Sequence, residues 1–279
     1  MMNMQGVASS YQRNTTFALP KNSNLLPDHG KENPAMTTFD NQLIELESVD
    51  STNNYAMARI HEGLASDGMV YLARNQWAGK GQRGKTWISE PGQNLMMSLI
   101  IDPSPLNLNQ QFMFSSSIAL AILDLLKGFQ SNHWKIKWPN DIYWNDRKAG
   151  GLLIESVITG PTWNWAVVGI GINLNQSSFP KEIPNAISLH QITGARYEPV
   201  SVARELVPRI REQISILKKT PDQILLRLNN SLYKKDQVIA LRKIDELFVT
   251  VLKAVDSNGL LVTEAGTFKS GEVEWMMNG

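Results

Sequence analysis

A glycine-rich loop between two apolar, strand-like runs constrains the fold more than any other feature of this sequence. The loop is WAGKGQRGKTW (residues 77–87), and its Gly79, Gly81 and Gly84 match the G-x-G-x-x-G pattern of dinucleotide-binding sites. That pattern requires a strand before the loop and a helix after it. Here a Pro-Gly pair at 91–92 prevents a helix, and the apolar run NLMMSLII follows. A dinucleotide-binding unit is therefore excluded.

The same loop is strongly basic, because Lys80, Arg83 and Lys85 alternate with its glycines. A kinase glycine-rich loop also joins two strands, but the chain contains no HRD or DFG sequence. Free backbone N–H groups in such a loop suit an anion, and the flanking Trp77 and Trp87 suit a planar ligand. Taken alone, however, the loop is more simply interpreted as a solvated hairpin tip.

The chain after residue 38 alternates between strand-like and helical patterns, which predicts an α+β body. Strands are expected in FDNQLIELES, MVYLARNQ, NLMMSLII, WKIKWP, IYWNDRKAGGLLIESVI and WNWAVVGIGINLN. Helices are expected in SVDSTNNYAMARIHEGL, SSSIALAILDLLKGF, VSVARELVPRIREQISIL and PDQILLRLNNSLY. From about Lys234 the pattern changes to short β runs separated by turns, which predicts a small β-barrel or sandwich.

The first 38 residues are rich in Asn, Ser, Thr and Pro and lack an apolar period, so we expect a disordered tail. A transit peptide is the weaker alternative, and Met36 offers an alternative start. The predicted domains are thus 1–38 (tail), 39–233 (main domain) and 234–279 (small β domain).

Composition excludes several function classes. A net charge of +1 argues against a protein that coats nucleic acid, and zero cysteines exclude disulfides and thiol catalysis. No apolar run approaches the roughly 18 residues of a membrane span, so the cytosol is the expected compartment. No metal site is predicted, because the four histidines lack ligand spacing, and no hydrolase motif or Walker loop occurs. These histidines are His29, His61, His133 and His190.

A second cluster is IKWPNDIYWNDRKAGGLLIE, residues 136–155. Pro139 interrupts a strand, so Asn140 and Asp141 are expected in a turn or bulge, and the following hairpin returns Lys148 to them. A lone lysine is usually solvated. Beside a double glycine and opposite this turn, an anion-binding lysine is an equal alternative.

Two further segments have both a structural and a functional interpretation. VVGIGINLN places Gly169 and Gly171 in an apolar strand that ends with Asn173, and such glycines admit either a packed neighbour or a ligand. At the start of the first helix, Ser51 and Thr52 could bind a polar ligand, but helix capping is the favoured explanation.

Taken together, four motifs resemble those of biotin protein ligases in order and spacing, over about residues 39–279. They are D-S-T-N, Q-x-A-G-K-G-Q-R-G-K-x-W, K-W-P-N-D-I…R-K-x-G-G-x-L-x-E and G-I-G-I-N. The resemblance implies a mixed sheet flanked by helices (a class II synthetase-like, biotin–lipoate ligase fold) with a C-terminal SH3-like domain. It also implies a monofunctional enzyme without a DNA-binding role, because the helix-turn-helix of repressor-type members has no counterpart here.

The family reaction joins biotin and ATP into biotinyl-5′-AMP and then acylates a lysine of a biotin carboxyl carrier protein. The implied substrates are therefore biotin and ATP, with Mg²⁺ carried mainly by the phosphates and a homodimer as a further possibility. By resemblance, Lys148 would bridge the biotin carboxylate and the α-phosphate, with Lys80 and Arg83 offsetting negative charge. Biotin contacts are implied for Ser51, Thr52, Asn53, Gln76, Lys80, Gly81, Gln82, Lys148, Gly151, Gly169 and Gly171. ATP contacts are implied for Arg83, Lys85, Trp87, Asn140, Asp141 and Asn173.

One departure from the family pattern and two rival functions stand beside this resemblance. Well-known members read G-R-G-R-x-G-R in the loop, whereas this chain has Lys80, Gln82 and Lys85, so one charge and the bidentate arginine geometry are lost. Lipoate–protein ligase is the nearest rival, although its R-R-x-x-G-G-G-x-V signature is absent. A non-catalytic nucleic-acid-binding module is the other rival, disfavoured by the near-neutral charge.

Overall fold

A computed structural model describes residues 42–276, so the predicted tail at 1–38 lies outside the described residues. Two sheets and several helices make up this part of the chain. In chain order the elements are β1 (Leu43–Val49), α1 (Thr52–His61), β2 (Val70–Gln76), β3 (Leu95–Ile101), α2 (Gln111–Phe129), β4 (Trp134–Lys137), β5 (Asp141–Trp144), β6 (Arg147–Thr159), β7 (Thr162–Ile172), α3 (Leu189–Thr193), α4 (Pro199–Lys219), α5 (Pro221–Asn230), β8 (Val238–Lys243), β9 (Glu246–Val255), β10 (Leu261–Thr263), β11 (Gly266–Phe268) and β12 (Glu274–Met276).

The larger sheet has seven strands in the order β1-β2-β3-β7-β6-β5-β4. Strands β1 and β2 are parallel, with α1 as their crossover, and every other neighbouring pair is antiparallel. The predicted mixed sheet with flanking helices is therefore confirmed. The glycine-rich loop joins β2 to β3, two antiparallel neighbours, as the exclusion of a dinucleotide fold required.

Different elements pack on the two faces of this sheet, because successive side chains along each strand point to opposite faces. One face carries the main core, where apolar side chains of β2, β3, β6 and β7 pack with α2, α4 and α5. On the other face α1 covers only part of the sheet, through a small cluster of Ala56, Tyr71, Ile100 and Val167. The remainder of this face is available for a site.

Helix α2 is more apolar than the sequence analysis allowed. The segment Leu108–Phe129 is long and apolar enough to cross a membrane by length and composition alone, so the expectation that no run approaches this length was wrong. The segment is 67% buried over its most apolar stretch, where it packs against α4 and the sheet. A helix that is apolar on all sides is typical of a protein core as well as of a membrane.

The smaller sheet is antiparallel, in the order β11-β10-β9-β8-β12, and confirms the expected all-β unit after the helices. It contacts the main body directly. Trp138 Nε1 donates to the Gly259 carbonyl oxygen at 3.0 Å, and the Asn229 side chain exchanges two hydrogen bonds with the Val255 backbone. The division into domains at 39–233 and 234–279 stays a prediction.

Candidate active site

A cavity of about 810 Å³ lies on the sheet face that α1 leaves partly open. Its size is in the usual range of small-molecule sites. Segments of β3, β6 and β7 form its floor, and the glycine-rich loop, the turn at 138–140 and the edge of the smaller sheet form its walls. The structure brings together all the predicted site residues except Asn173. They are Ser51, Thr52, Asn53, Gln76, Lys80, Gly81, Gln82, Arg83, Lys85, Trp87, Asn140, Asp141, Lys148, Gly151, Gly169 and Gly171.

One end of the cavity is built by the start of α1. Ser51 occupies the N-cap position, but its side chain makes no capping hydrogen bond. The favoured prediction, that Ser51 serves as a helix cap, was therefore wrong for its side chain. Instead, Gln76 Oε1 at the end of β2 accepts from the Thr52 backbone N–H at 2.7 Å and lies 3.1 Å from Thr52 Oγ1. Ser51 and Thr52 are both buried and line the cavity, which favours their predicted ligand-binding role.

Asn53 is held in a single orientation at the same end of the cavity. Its Nδ2 donates to Glu155 Oε2 at 2.7 Å and to the Leu153 carbonyl oxygen at 3.3 Å, and its Oδ1 accepts from Ser98 Oγ at 2.6 Å. Neither Ser98 nor Glu155 is among the site residues predicted from the sequence. Glu155 had a signal, as the final acidic residue of the R-K-x-G-G-x-L-x-E motif, whereas Ser98 lies in an apolar strand without one.

The strand glycines make room for protein side chains that line the cavity. A Cβ atom at Gly169 would lie 2.4 Å from Asn53 Oδ1, and one at Gly171 would lie 2.5 Å from a ring carbon of Trp87. Glycines 151, 169 and 171 share this face, because Gly151 is opposite Gly171 in the β6–β7 register. The neighbours that Gly169 and Gly171 admit are therefore protein side chains, and a direct contact of these glycines with a ligand stays a prediction.

Lys148 reaches the cavity because of an irregularity in the sheet. The β5–β6 register shifts so that Ile142 pairs with Gly150 but Tyr143 pairs with Lys148, which leaves Ala149 as an extra residue. Ala149 is buried in the main core, and such a bulge re-aims its neighbour. Lys148 Nζ lies 2.6 Å from Asp141 Oδ1, so the predicted approach of these two residues is confirmed.

Asn173 lies behind Lys148 and does not line the cavity, contrary to its predicted place at the nucleotide. Its Nδ2 donates to the Ile187 carbonyl oxygen at 3.2 Å and to that of Lys148 at 3.4 Å. Its backbone N–H donates to the Ala149 carbonyl oxygen at 2.8 Å. Because β7 has ended by this residue, the side chain supports the backbone at the bulge rather than the ligand space.

The glycine-rich loop folds as a narrow hairpin against the cavity. Lys80 and Thr86 form an antiparallel bridge, and Lys80 Nζ lies 3.5 Å from Glu155 Oε1. Trp77 is 72% exposed and does not line the cavity, so of the two tryptophans that flank the loop it is Trp87 that is placed to cover a ligand. Within residues 42–276, the buried Trp87 indole Nε1 has no hydrogen-bond partner. An unpaired buried donor on a cavity wall favours a ligand there.

Arg83 extends from this loop to the smaller sheet. Its backbone is left-handed (φ 57°), and its Nη2 donates to Ser270 Oγ at 3.1 Å beside Gly271. Side chains of the smaller sheet also line the cavity, among them Arg242 and Trp275. Sequence reasoning missed these residues because nothing local to their strands marks them as part of a site.

Lys137, the lysine of K-W-P-N-D, also lines the cavity, although the sequence predicts no role for it. The pKa of its ammonium is lowered to about 8: burial is the largest cause, Lys148 and Lys85 act in the same direction, and Asp141 and Glu274 oppose them. A lysine with this pKa in a cleft is a candidate functional residue.

Residues 45–173 match the Biotin/lipoate A/B protein ligase family. The chain is 29% identical over 226 residues to the bifunctional ligase/repressor BirA of Salmonella typhimurium, covering 77% of this chain and 67% of that protein. It is 38% identical over 130 residues to a biotin–[acetyl-CoA-carboxylase] ligase of Paracoccus denitrificans, covering 46% of this chain and 53% of that one. The chain thus spans about half to two thirds of the length of these curated relatives.

A solved structure agrees with these relatives. Biotin protein ligase from Aquifex aeolicus, in complex with biotin and ATP, superposes with a TM-score of 0.71 at 27% identity. The match covers 85% of this chain and 99% of that one, so it includes both sheets rather than the family segment alone. The sequence motifs, the sheet order and the cavity agree with these comparisons, so in sequence and fold the chain is similar to biotin protein ligases.

Proposed function

We propose that this chain joins biotin to a lysine of a biotin carboxyl carrier protein through biotinyl-5′-AMP. In the first step a biotin carboxylate oxygen attacks the α-phosphorus of ATP, and the bond to the β-phosphate oxygen breaks to release pyrophosphate. In the second step the acceptor amine attacks the acyl carbon and AMP leaves. Two anions must approach each other in the first step, so charge neutralisation and positioning supply the catalysis.

Specific residues would perform these tasks. Lys148 would contact the biotin carboxylate and the α-phosphate, and its ion pair with Asp141 holds the ammonium at the floor of the cavity. The polar end at Thr52, Asn53 and Gln76 would bind the biotin ring system through oriented donors and acceptors. Trp87 would cover the adenylate. The other predicted site residues that line the cavity keep the roles that the resemblance implies.

A single observation carries this proposal. Four segments that are separate in the sequence (51–53, 76–87, 137–151 and 169–171) each contribute residues to one cavity, which has a polar end, a central lysine and a basic loop. That arrangement matches a ligand with a neutral polar ring system at one end and an anionic nucleotide at the other. Closure of the loop over the cavity would also protect the mixed anhydride from water.

The same proposal implies a metal ion, protein partners and a cellular location. Mg²⁺ would arrive with the nucleotide, held mainly by phosphate oxygens. The outer edge of β1 pairs with no strand among the described residues, so it could pair with a second copy or with the carrier protein. A cytosolic location and the absence of a DNA-binding role are retained as proposals.

The decisive experiment is ATP- and Mg²⁺-dependent transfer of labelled biotin to a carrier domain, with lipoate as competitor. We expect transfer that an excess of lipoate does not suppress. Lipoate attachment without biotin attachment would instead establish the rival lipoate–protein ligase activity. Absence of both reactions would refute the proposal.

A further inference from the structure

Lys137 occupies an aromatic cage at the junction of the two sheets. It is the last residue of β4, and its Nζ lies 5.3 Å from the ring centroid of Tyr143 and 5.3 Å from that of Trp275. Tyr143 comes from β5 and Trp275 from β12, so both sheets contribute a wall. An ammonium over two aromatic faces is held in place without being neutralised.

Three other basic residues of the cavity already face carboxylates. Lys148 is paired with Asp141, Lys80 lies 3.5 Å from Glu155, and Arg242 donates to Glu274. Across residues 42–276, no carboxylate oxygen lies within 4.0 Å of Lys137 Nζ, although the residue lines the cavity. A partly desolvated cation without a close counterion favours binding of an external anion.

The position of Lys137 relative to Lys148 indicates which part of the ATP triphosphate it contacts. Asp141 is the register partner of Lys137, is paired with Lys148 and stabilises the charge of Lys137, so one carboxylate acts on both lysines. The biotin carboxylate and the α-phosphate are assigned to Lys148, which leaves the more distal negative charge of ATP for Lys137. Lys85 is near enough to lower the pKa of Lys137, and so adds positive charge to the same region.

We propose that Lys137 binds the β- and γ-phosphates of ATP and, after cleavage, the pyrophosphate. The inference rests on the proposed function and adds a residue to it. When the bond between the α-phosphorus and the bridging oxygen breaks, the electron pair stays on pyrophosphate, and Lys137 stabilises that charge. The transfer step involves no pyrophosphate, so Lys137 acts in the first half-reaction alone.

A dependence on pH follows from the same contacts. Asp141 and Glu274 favour the charged form of Lys137, whereas burial, Lys148 and Lys85 disfavour it, and its pKa is about 8. The group is cationic below this pKa and neutral above it, so pyrophosphate binding weakens as the pH rises from 7 to 9. The Lys137→Arg variant stays charged at this position throughout the range. The titration of pyrophosphate affects both proteins equally, so it cancels in the ratio of their KM values for pyrophosphate.

The test is biotin-dependent exchange of labelled pyrophosphate into ATP, measured for the whole chain carrying Lys137→Met. Lys135→Met is the matched control, because Lys135 is exposed on the same strand, does not line the cavity, and donates from Nζ to the Asn230 carbonyl oxygen at 3.4 Å. For Lys137→Met we expect the KM for pyrophosphate to rise about 10- to 100-fold, as for loss of one charge-assisted contact. The KM for biotin, and the transfer rate from synthetic biotinyl-5′-AMP, should stay within twofold of the unmodified protein.

The outcomes separate this inference from the proposed function. If the unmodified protein exchanges no pyrophosphate, the proposed function fails. If it exchanges pyrophosphate but Lys137→Met leaves that KM unchanged, or slows transfer from synthetic adenylate equally, the role of Lys137 is refuted. Lys137→Arg keeps the charge and tests the role even if Lys137→Met is poorly folded. A KM for pyrophosphate that rises with pH in parallel for Lys137→Arg and the unmodified protein also refutes it.

Discussion

Replacing Gly169 by alanine tests whether the β7 glycines admit the side chains that form the biotin end. The added Cβ would lie 2.4 Å from Asn53 Oδ1, 2.9 Å from Cγ and 3.0 Å from Nδ2, all closer than packed atoms allow. Asn53 is buried and fixed by Ser98, Leu153 and Glu155, so it cannot rotate away without breaking hydrogen bonds. Overpacking of this kind costs about 1–3 kcal/mol of unfolding free energy.

The measurement is a double-mutant cycle of Gly169→Ala with Asn53→Ala, using thermal and urea unfolding. For a chain of this size we expect Gly169→Ala to lower the Tm by about 2–4 °C per kcal/mol, and to raise the KM for biotin because Asn53 is displaced. Once Asn53 is alanine, the clash disappears and Gly169→Ala should cost less than about 0.5 kcal/mol. An equal cost in both backgrounds would show that Asn53 is not the obstacle and would refute this reasoning.

Three further substitutions test the rest of the site. Lys148→Ala should abolish adenylate formation in pyrophosphate exchange while the thermal midpoint stays close to that of the unmodified protein; an active variant would contradict the role of this lysine. Glu155→Gln removes the charge that faces Lys80 but keeps an oxygen acceptor for Asn53, so biotinyl-5′-AMP should dissociate about 2- to 5-fold more slowly in a filter-binding assay, as for release of a partly exposed ion pair worth up to about 1 kcal/mol. Gln82→Arg restores a charge common in the family loop and should slow that dissociation; faster release would argue against an electrostatic grip by the loop.

Local sequence was sufficient for much of this molecule. The Pro-Gly pair at 91–92 prevents a helix after the glycine-rich loop, so the loop had to join two strands. Pro139 separates β4 from β5 in the same way and leaves Asn140 in the turn. Backbone restrictions of this kind act between adjacent residues, which is why they can be read without a structure.

Other features depend on contacts between distant segments. The bulge at Ala149 that turns Lys148 toward the cavity interrupts the two-residue period, so the period alone could not predict it. Asn173 follows the apolar strand with the spacing of a ligand residue, yet its amide supports the bulge. Both results depend on how β5, β6 and β7 pair, which is a property of the assembled sheet.

The sequence by itself determined the order of strands and helices, the basic loop and the neighbourhood of Lys148 and Asp141, because each follows from residues close together in the chain. Only the tertiary structure decided that the smaller sheet completes the cavity, with Trp275 against Lys137 and Ser270 against Arg83. These contacts join residues far apart in sequence, and their existence depends on how two separately patterned sheets pack. The charge state of Lys137 is likewise set by that packing, since burial is the main cause of its lowered pKa.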